Sequence, residues 1–141
     1  MKILVAVDGS AVTKRMLGYL AAHDEWLATD ANQFTIIHCA LPVPSRAASA
    51  LGRGVLKDHY AQEVERVFRP IRTFLQKQGV AAEYVSGVGH AAQLIAERAE
   101  EGGFDLLMIG SHGHGALVNL ALGSVVTQVI ARCKTPTLVI R

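Results

Sequence analysis

The sequence predicts a doubly wound α/β domain built on a five-stranded parallel sheet, and three observations carry that reading. Five short, β-branched, apolar runs are bounded by turn residues, and helical stretches alternate with them along the chain. The strongest runs, KILVAVD and FTIIHC, are nearly continuous in apolarity rather than alternating, as strands covered on both faces are. Parallel neighbours need right-handed crossovers, and the intervening helices are long enough to supply them.

The expected strands are Lys2–Asp8, Phe34–Cys39, Ala82–Ser86, Phe104–Ile109 and Thr137–Ile140. The third is the most polar and is expected at an edge. Ser10 is the expected N-cap of a first helix running to about Ala28, with Met16, Leu17, Leu20, Ala21, Trp26 and Leu27 near one face. The second helix places Tyr60, Val64, Val67, Phe68, Ile71, Phe74 and Leu75 at three-and-four spacing and ends at Gly79. A third spans about Ala91–Glu100 with Leu94 and Ile95 inward, and a fourth runs from near Gly123 to about Cys133. Two stretches read as nonhelical: the Pro/Ala/Gly-rich Ala40–Gly54 and the segment Gly110–Gly123. Both follow strands, so both lie at the carboxyl edge of the sheet, where open α/β sheets bind ligands.

Composition bounds the function. The 141 residues amount to one domain, 1–141, at roughly 100–200 residues per domain. With 50% hydrophobic and 18% charged residues, disorder is excluded. Fourteen Lys and Arg against twelve Asp and Glu leave a net charge of +2, no basis for a nucleic acid partner held by charge. No apolar span approaches the ~18 residues of a membrane helix, and the N-terminal run is too short for a signal peptide, so no membrane partner and a cytoplasmic location are expected. Cys39 and Cys133, each within an apolar stretch, read as small buried hydrophobes in a reducing compartment.

The informative motif is Gly110-Ser111-His112-Gly113, nine residues, then Gly123-Ser124. Glycines after a buried strand let backbone approach a ligand and let successive N–H groups form an anion nest. Gly123-Ser124 then opens a helix whose unpaired N–H groups favour a phosphate. From spacing alone, a Gly-rich turn followed by a Ser-capped helix accounts for the segment equally well. Asp8 ends a buried strand at the ligand edge. It can accept from a ribose hydroxyl or help hold a phosphate-bound Mg²⁺, and it can equally cap the turn at Gly9 and Ser10.

With ILVAVDGS, IIHC, DLLMIGSHGHG, LGSVV and TPTLVIR, this motif resembles the ATP-binding members of the universal stress protein family over nearly the whole chain. The resemblance implies a Rossmann-like sheet of strand order 3-2-1-4-5. It implies that Gly110, Gly113, Gly123, Ser124 and the Val125 amide hold the triphosphate and ribose of ATP. Ala6, Val7 and Asp8 would border the nucleoside, Cys39 and Ala40 the adenine, and Ile109 and His112 would complete the site. It also implies a homodimer through the last, edge strand, and a role for nucleotide occupancy as a stress signal. His114 stands where relatives often carry Arg or Lys, and a mostly neutral imidazole there weakens the attraction for phosphate and makes it pH-sensitive.

Other chemistries fit less well. His112 and His114 lack the further ligands a metal site needs, so no metal site is assigned to protein side chains. Gly87-Val88-Gly89-His90-Ala91-Ala92 matches a dinucleotide fingerprint, but the nearest suitable acid, Asp105, begins its strand at the opposite edge of the sheet. No P-loop, nucleophile elbow or carboxylate pair is present, and no catalytic residue is assigned. Lys14, Arg46 and Arg53 are candidate phosphate contacts that nothing in the sequence fixes in place. This favours a binding protein, with a nucleotide-free dimeric interaction module or a slow ATPase or self-phosphorylating protein as alternatives.

Overall fold

The computed structural model describes residues 1–23, 25, 31–114 and 122–141. The strands are β1 (Lys2–Ala6), β2 (Gln33–Ala40), β3 (Ala82–Val88), β4 (Leu106–Gly110) and β5 (Thr137–Ile140). They form one sheet in the order β3-β2-β1-β4-β5, with every pair parallel. Its centre is β1, where Ile3 pairs with Phe34 on one side and Leu106 on the other. Helices α1 (Ala11–Ala22), α2 (Ser45–Lys77), α3 (Ala91–Glu101) and α4 (Ser124–Arg132) supply the crossovers.

The strand pleat sends alternate side chains to opposite layers. Ile3, Val5 and Val7 join Met16, Leu20, Phe68 and Ile71 beneath α1 and α2. Leu4 and Ala6 join Ala92, Ile95, Val126 and Val129 beneath α3 and α4. Both faces of β1 are thus covered, which is why its sequence reads as one apolar run. The edge strand β3 is half-buried at best, in keeping with its polarity.

Several boundaries differ from the sequence-based expectation. β1 ends at Ala6 rather than Asp8, although the Val7 N–H still donates to the Ile37 carbonyl at 2.9 Å. β4 starts at Leu106, because Asp105 turns its carboxylate back to accept from the Lys2 N–H at 2.7 Å. α1 keeps its Ser10 cap, with the hydroxyl accepting from the Thr13 N–H, but stops at Ala22 rather than near Ala28. Trp26 and Leu27 lie outside the described residues. The largest difference is at 40–54, expected to be a loop. Helix begins at Ser45, directly after Pro44, and is broken only at Gly52 (φ 76°, ψ 159°) before continuing to Lys77. Ala, Arg and Leu in SRAASAL are good helix formers, and their propensity prevails over the flanking Pro and Gly.

Leu107 is fully buried at the centre of the second layer. Leu107→Ala is expected to cost about 2–5 kcal/mol, read as a lower urea midpoint with an unchanged slope.

Candidate functional site

At the carboxyl edge, the chain leaves β1 toward α1 on one face and leaves β4 toward α4 on the other. This is the topological switch point of the sheet, and a crevice of about 570 Å³ opens there, within the usual range for small-ligand sites. A second concavity, of about 500 Å³ along α2 near Gln62 and Arg69, is wide open and touches no strand end or glycine turn.

Asp8 ties the two lips of the crevice together. Its Oδ1 accepts from the Ser10 N–H and the Thr13 hydroxyl, both at 2.9 Å, so it does cap the following turn. Its Oδ2 accepts from the His114 N–H at 3.2 Å, across the crevice, and the His114 ring nitrogen Nε2 lies 3.1 Å from the Asp8 carbonyl oxygen. Burial pushes the Asp8 carboxyl up. Hydrogen bonds from Ser10 and Thr13, with the charge of His114, outweigh it and hold the group below the ordinary 3.8.

The glycines are explained mostly by packing. A Cβ on Gly110 would stand 2.7 Å from Val12 Cγ1, so this glycine admits the start of α1. A Cβ on Gly113 would stand 2.5 Å from Asp8 Oδ2, and one on Gly123 would stand 3.1 Å from the Ser111 carbonyl oxygen. Gly123 is the N-cap of α4, which has no side-chain cap, and its N–H donates to Ser111 O at 2.7 Å. Among the described residues no side chain accepts from the first-turn amides of α4, where Ser124, Val125 and Val126 border the crevice.

Of the residues singled out from sequence, the crevice brings together Ala6, Val7 and Asp8 from the end of β1, and Cys39 from β2. Ile109, Gly110, His112 and Gly113 line it from the β4 side, with Gly123, Ser124 and Val125 from the start of α4. Ala40 is the exception. It is fully buried and borders no part of the crevice, and its carbonyl accepts from the Gly89 N–H at 3.0 Å. Burial raises the Cys39 thiol to about 11, so it stays protonated and serves as apolar wall. Both cysteines are free and half-buried, less enclosed than expected.

Sequence reasoning missed Thr13, His38, Glu63 and Arg66, all of which line the crevice. Thr13 carried a local signal, three residues after the cap Ser10, and His38 stood out as a polar residue in an apolar strand. Glu63 and Arg66 reach the crevice only because α2 packs over the end of β2, which no local pattern reveals. Gly87 and Gly89 of the fingerprint-like segment lie against Leu94, whose Cδ1 would be 3.1 Å and 3.4 Å from their added Cβ atoms. Asp105 sits at the far edge, bonded to Lys2. Among the described residues no group of three or more His, Cys, Asp or Glu could hold a metal, and no helix is long and apolar enough to cross a membrane.

Fold and crevice together define a doubly wound α/β protein with a ligand-sized cleft at its switch point. The model of the universal stress protein family matches residues 1–141, and the chain belongs to that family. It is 28% identical to universal stress protein YxiE of Bacillus subtilis, over 99% of this chain and 98% of the relative. It is 30% identical to universal stress protein Slr1230 of Synechocystis over 99% of this chain, and there it spans only 42% of the relative. The solved structure of MJ0577 from Methanocaldococcus jannaschii superposes with a TM-score of 0.81 at 27% identity, covering 99% of this chain and 94% of that one. Two further structures share the fold. One is a universal stress protein in complex with cAMP (TM-score 0.71, 24% identity, 100% and 97% coverage). The other is that of Archaeoglobus fulgidus in complex with dAMP (TM-score 0.70, 22% identity, 100% and 98% coverage).

The depressed Asp8 carboxyl has a sign that can be checked. Folding favours its ionised form, so its contribution to stability is present above the ordinary value of 3.8 and is lost as pH falls through it toward the lower folded value. Thermal melts between pH 6 and about pH 3 should fall more steeply for the wild type than for Asp8→Asn. Parallel curves would mean that Asp8 holds nothing.

Proposed function

We propose that this chain binds ATP with Mg²⁺ in the crevice at the switch point, and that occupancy acts as a signal in a stress response. What carries the reading is the N-terminus of α4, which enters a crevice of about 570 Å³ with no side-chain cap among the described residues. Such amides, aligned with the helix dipole, suit a phosphate without any surplus of Lys or Arg. Family membership and the cAMP and dAMP complexes of relatives support an adenine nucleotide as the occupant.

In this reading Gly113, Gly123, Ser124 and the Val125 amide cradle the phosphates, with His112 beside them. Ala6, Val7 and Ile109 give the nucleoside an apolar wall, and Cys39 does so near the base. Gly110 acts indirectly, by admitting α1 against the crevice floor. Two of the four lone-pair sites on Asp8 are used at Oδ1 and one at Oδ2, so at most one remains for a ribose hydroxyl or a metal-bound water. Mg²⁺ would thus be held chiefly by phosphate oxygens and water, as is usual for this ion. At the crevice Ser111 Oγ lies 3.0 Å from His112 Nδ1, but the Ser111 side chain is buried, which favours binding over fast turnover. Occupancy would act on Leu41, after β2, and on Ser111, His112, Gly113 and His114, after β4, which line the crevice. We further propose a cytoplasmic homodimer formed by antiparallel pairing of β5, which is an edge strand with one free side. Light scattering should give twice the 15.1 kDa subunit mass at micromolar concentration, and a single subunit mass would refute the dimer.

The binding claim is tested at Ser124, an exposed first-turn residue. Ser124→Asp places a carboxylate where the phosphate would sit, yet suits the helix dipole, so the fold should keep its stability. Calorimetry with MgATP should show binding by the wild type and at least a tenfold loss in the variant. Equal affinity in the two proteins would remove the helix terminus from the site.

A further inference from the structure

Among the described residues, the one buried side-chain nitrogen or oxygen without a hydrogen-bond partner is His38 Nε2. His38 lies on the α2 side of β2, its side chain only 6% exposed, and it lines the crevice. Its Nδ1 is 2.9 Å from the Val7 carbonyl oxygen. A carbonyl only accepts, so Nδ1 carries a hydrogen, and the neutral ring turns a bare lone pair outward at Nε2. Glu63 Oε1 stands 3.8 Å beyond it, and an ionised carboxylate is also only an acceptor.

Two acceptors therefore face each other inside the wall of the crevice. A water hydrogen-bonded to both at about 2.8 Å would hold them more than 4 Å apart, and Nε2 is closed to solvent. A proton satisfies the pair. It binds the Nε2 lone pair, no other bond breaks, and the new N–H donates to Glu63 once the carboxylate closes by about 1 Å.

We propose that His38 and Glu63 form a proton-binding site that regulates the crevice: protonation pins α2 to β2 and strengthens the binding of an anionic occupant. The proposal rests on the nucleotide reading for the identity of that occupant. The groups around the pair are few. From α2 come His59, whose Nε2 is 3.9 Å from Glu63 Oε2, and Arg66, which lines the crevice. Phe68 of α2 presents a ring edge, and the register partner on β3 is Ser86, which does not titrate. From β1 come the Val7 carbonyl and then Asp8, while His112 and His114 border the same space from the β4 side. Protonating His38 adds one positive charge to the wall and cancels the charge of Glu63, so a phosphate-bearing ligand binds the protonated protein better. By linkage, that ligand must then draw a proton onto the protein, and its affinity rises as pH falls.

Two measurements on the full chain test this. In the ligand-free protein, ring NMR between pH 5 and 9 should show His38 changing protonation state, and Glu63→Gln should move that change to lower pH. For the nucleotide arm, MgATP affinity should be about fivefold or more tighter at pH 6 than at pH 8, with proton uptake. His38→Gln should shrink that ratio at least threefold, and Glu63→Gln serves if the first variant fails to fold. Retention of His112 and His114 in both variants keeps their own titration in the background. A His38 ring fixed in one protonation state across the range, or a pH ratio unchanged in His38→Gln, overturns the proposal. If MgATP does not bind at all, the nucleotide reading falls, while the ring titration alone still supports or overturns the proton site.

Discussion

The contact of the Asp8 carboxylate with the backbone at Gly113 and His114 joins the two halves of the carboxyl edge, and the shape of the crevice depends on it. Asp8 follows β1, and Gly113 follows β4, 105 residues further along the chain. Only the parallel pairing of β1 with β4, with Ala6 beside Ile109, brings them within hydrogen-bonding distance. Helices α1 and α4, which follow these strands, pack on opposite faces of the sheet and leave the gap between them. Gly113 has no Cβ because the carboxylate occupies that place, so the glycine first builds the lip and only then becomes available to a ligand.

Charge in this crevice is arranged with economy. One end offers the amides of α4, and the α2 side offers Glu63 beside His38, with Arg66 exposed at the rim. A protein with a net charge of only +2 can hold an anion this way, because backbone dipoles supply the positive potential. Relatives with cAMP and dAMP share the fold. In this chain the exposed His114 joins Asp8 through both its amide and its ring.

Much of the fold was legible because the sheet is buried on both sides. Burial forces continuous apolar runs such as KILVA and LLMI, and β-α alternation then leaves one topology class. Strand ends were less legible. Asp8 and Asp105 both sit where a strand could continue, and each instead uses its side chain to cap backbone N–H groups. The start of α2 was hidden by composition, since Pro44 and Gly52 suggested a loop around residues with good helix propensity. In the site, residues adjacent in sequence to the glycine motif were found readily. Glu63 and Arg66 were not, because their place follows from how α2 crosses β2, a tertiary fact with no local signature.

The central claim is that the crevice holds an adenine nucleotide. The most direct measurement is native mass spectrometry of the protein purified without added nucleotide, followed by the same measurement after incubation with MgATP. The account predicts a species heavier by one ATP per subunit in at least the second spectrum. A chain that stays at its bare mass in both would contradict it.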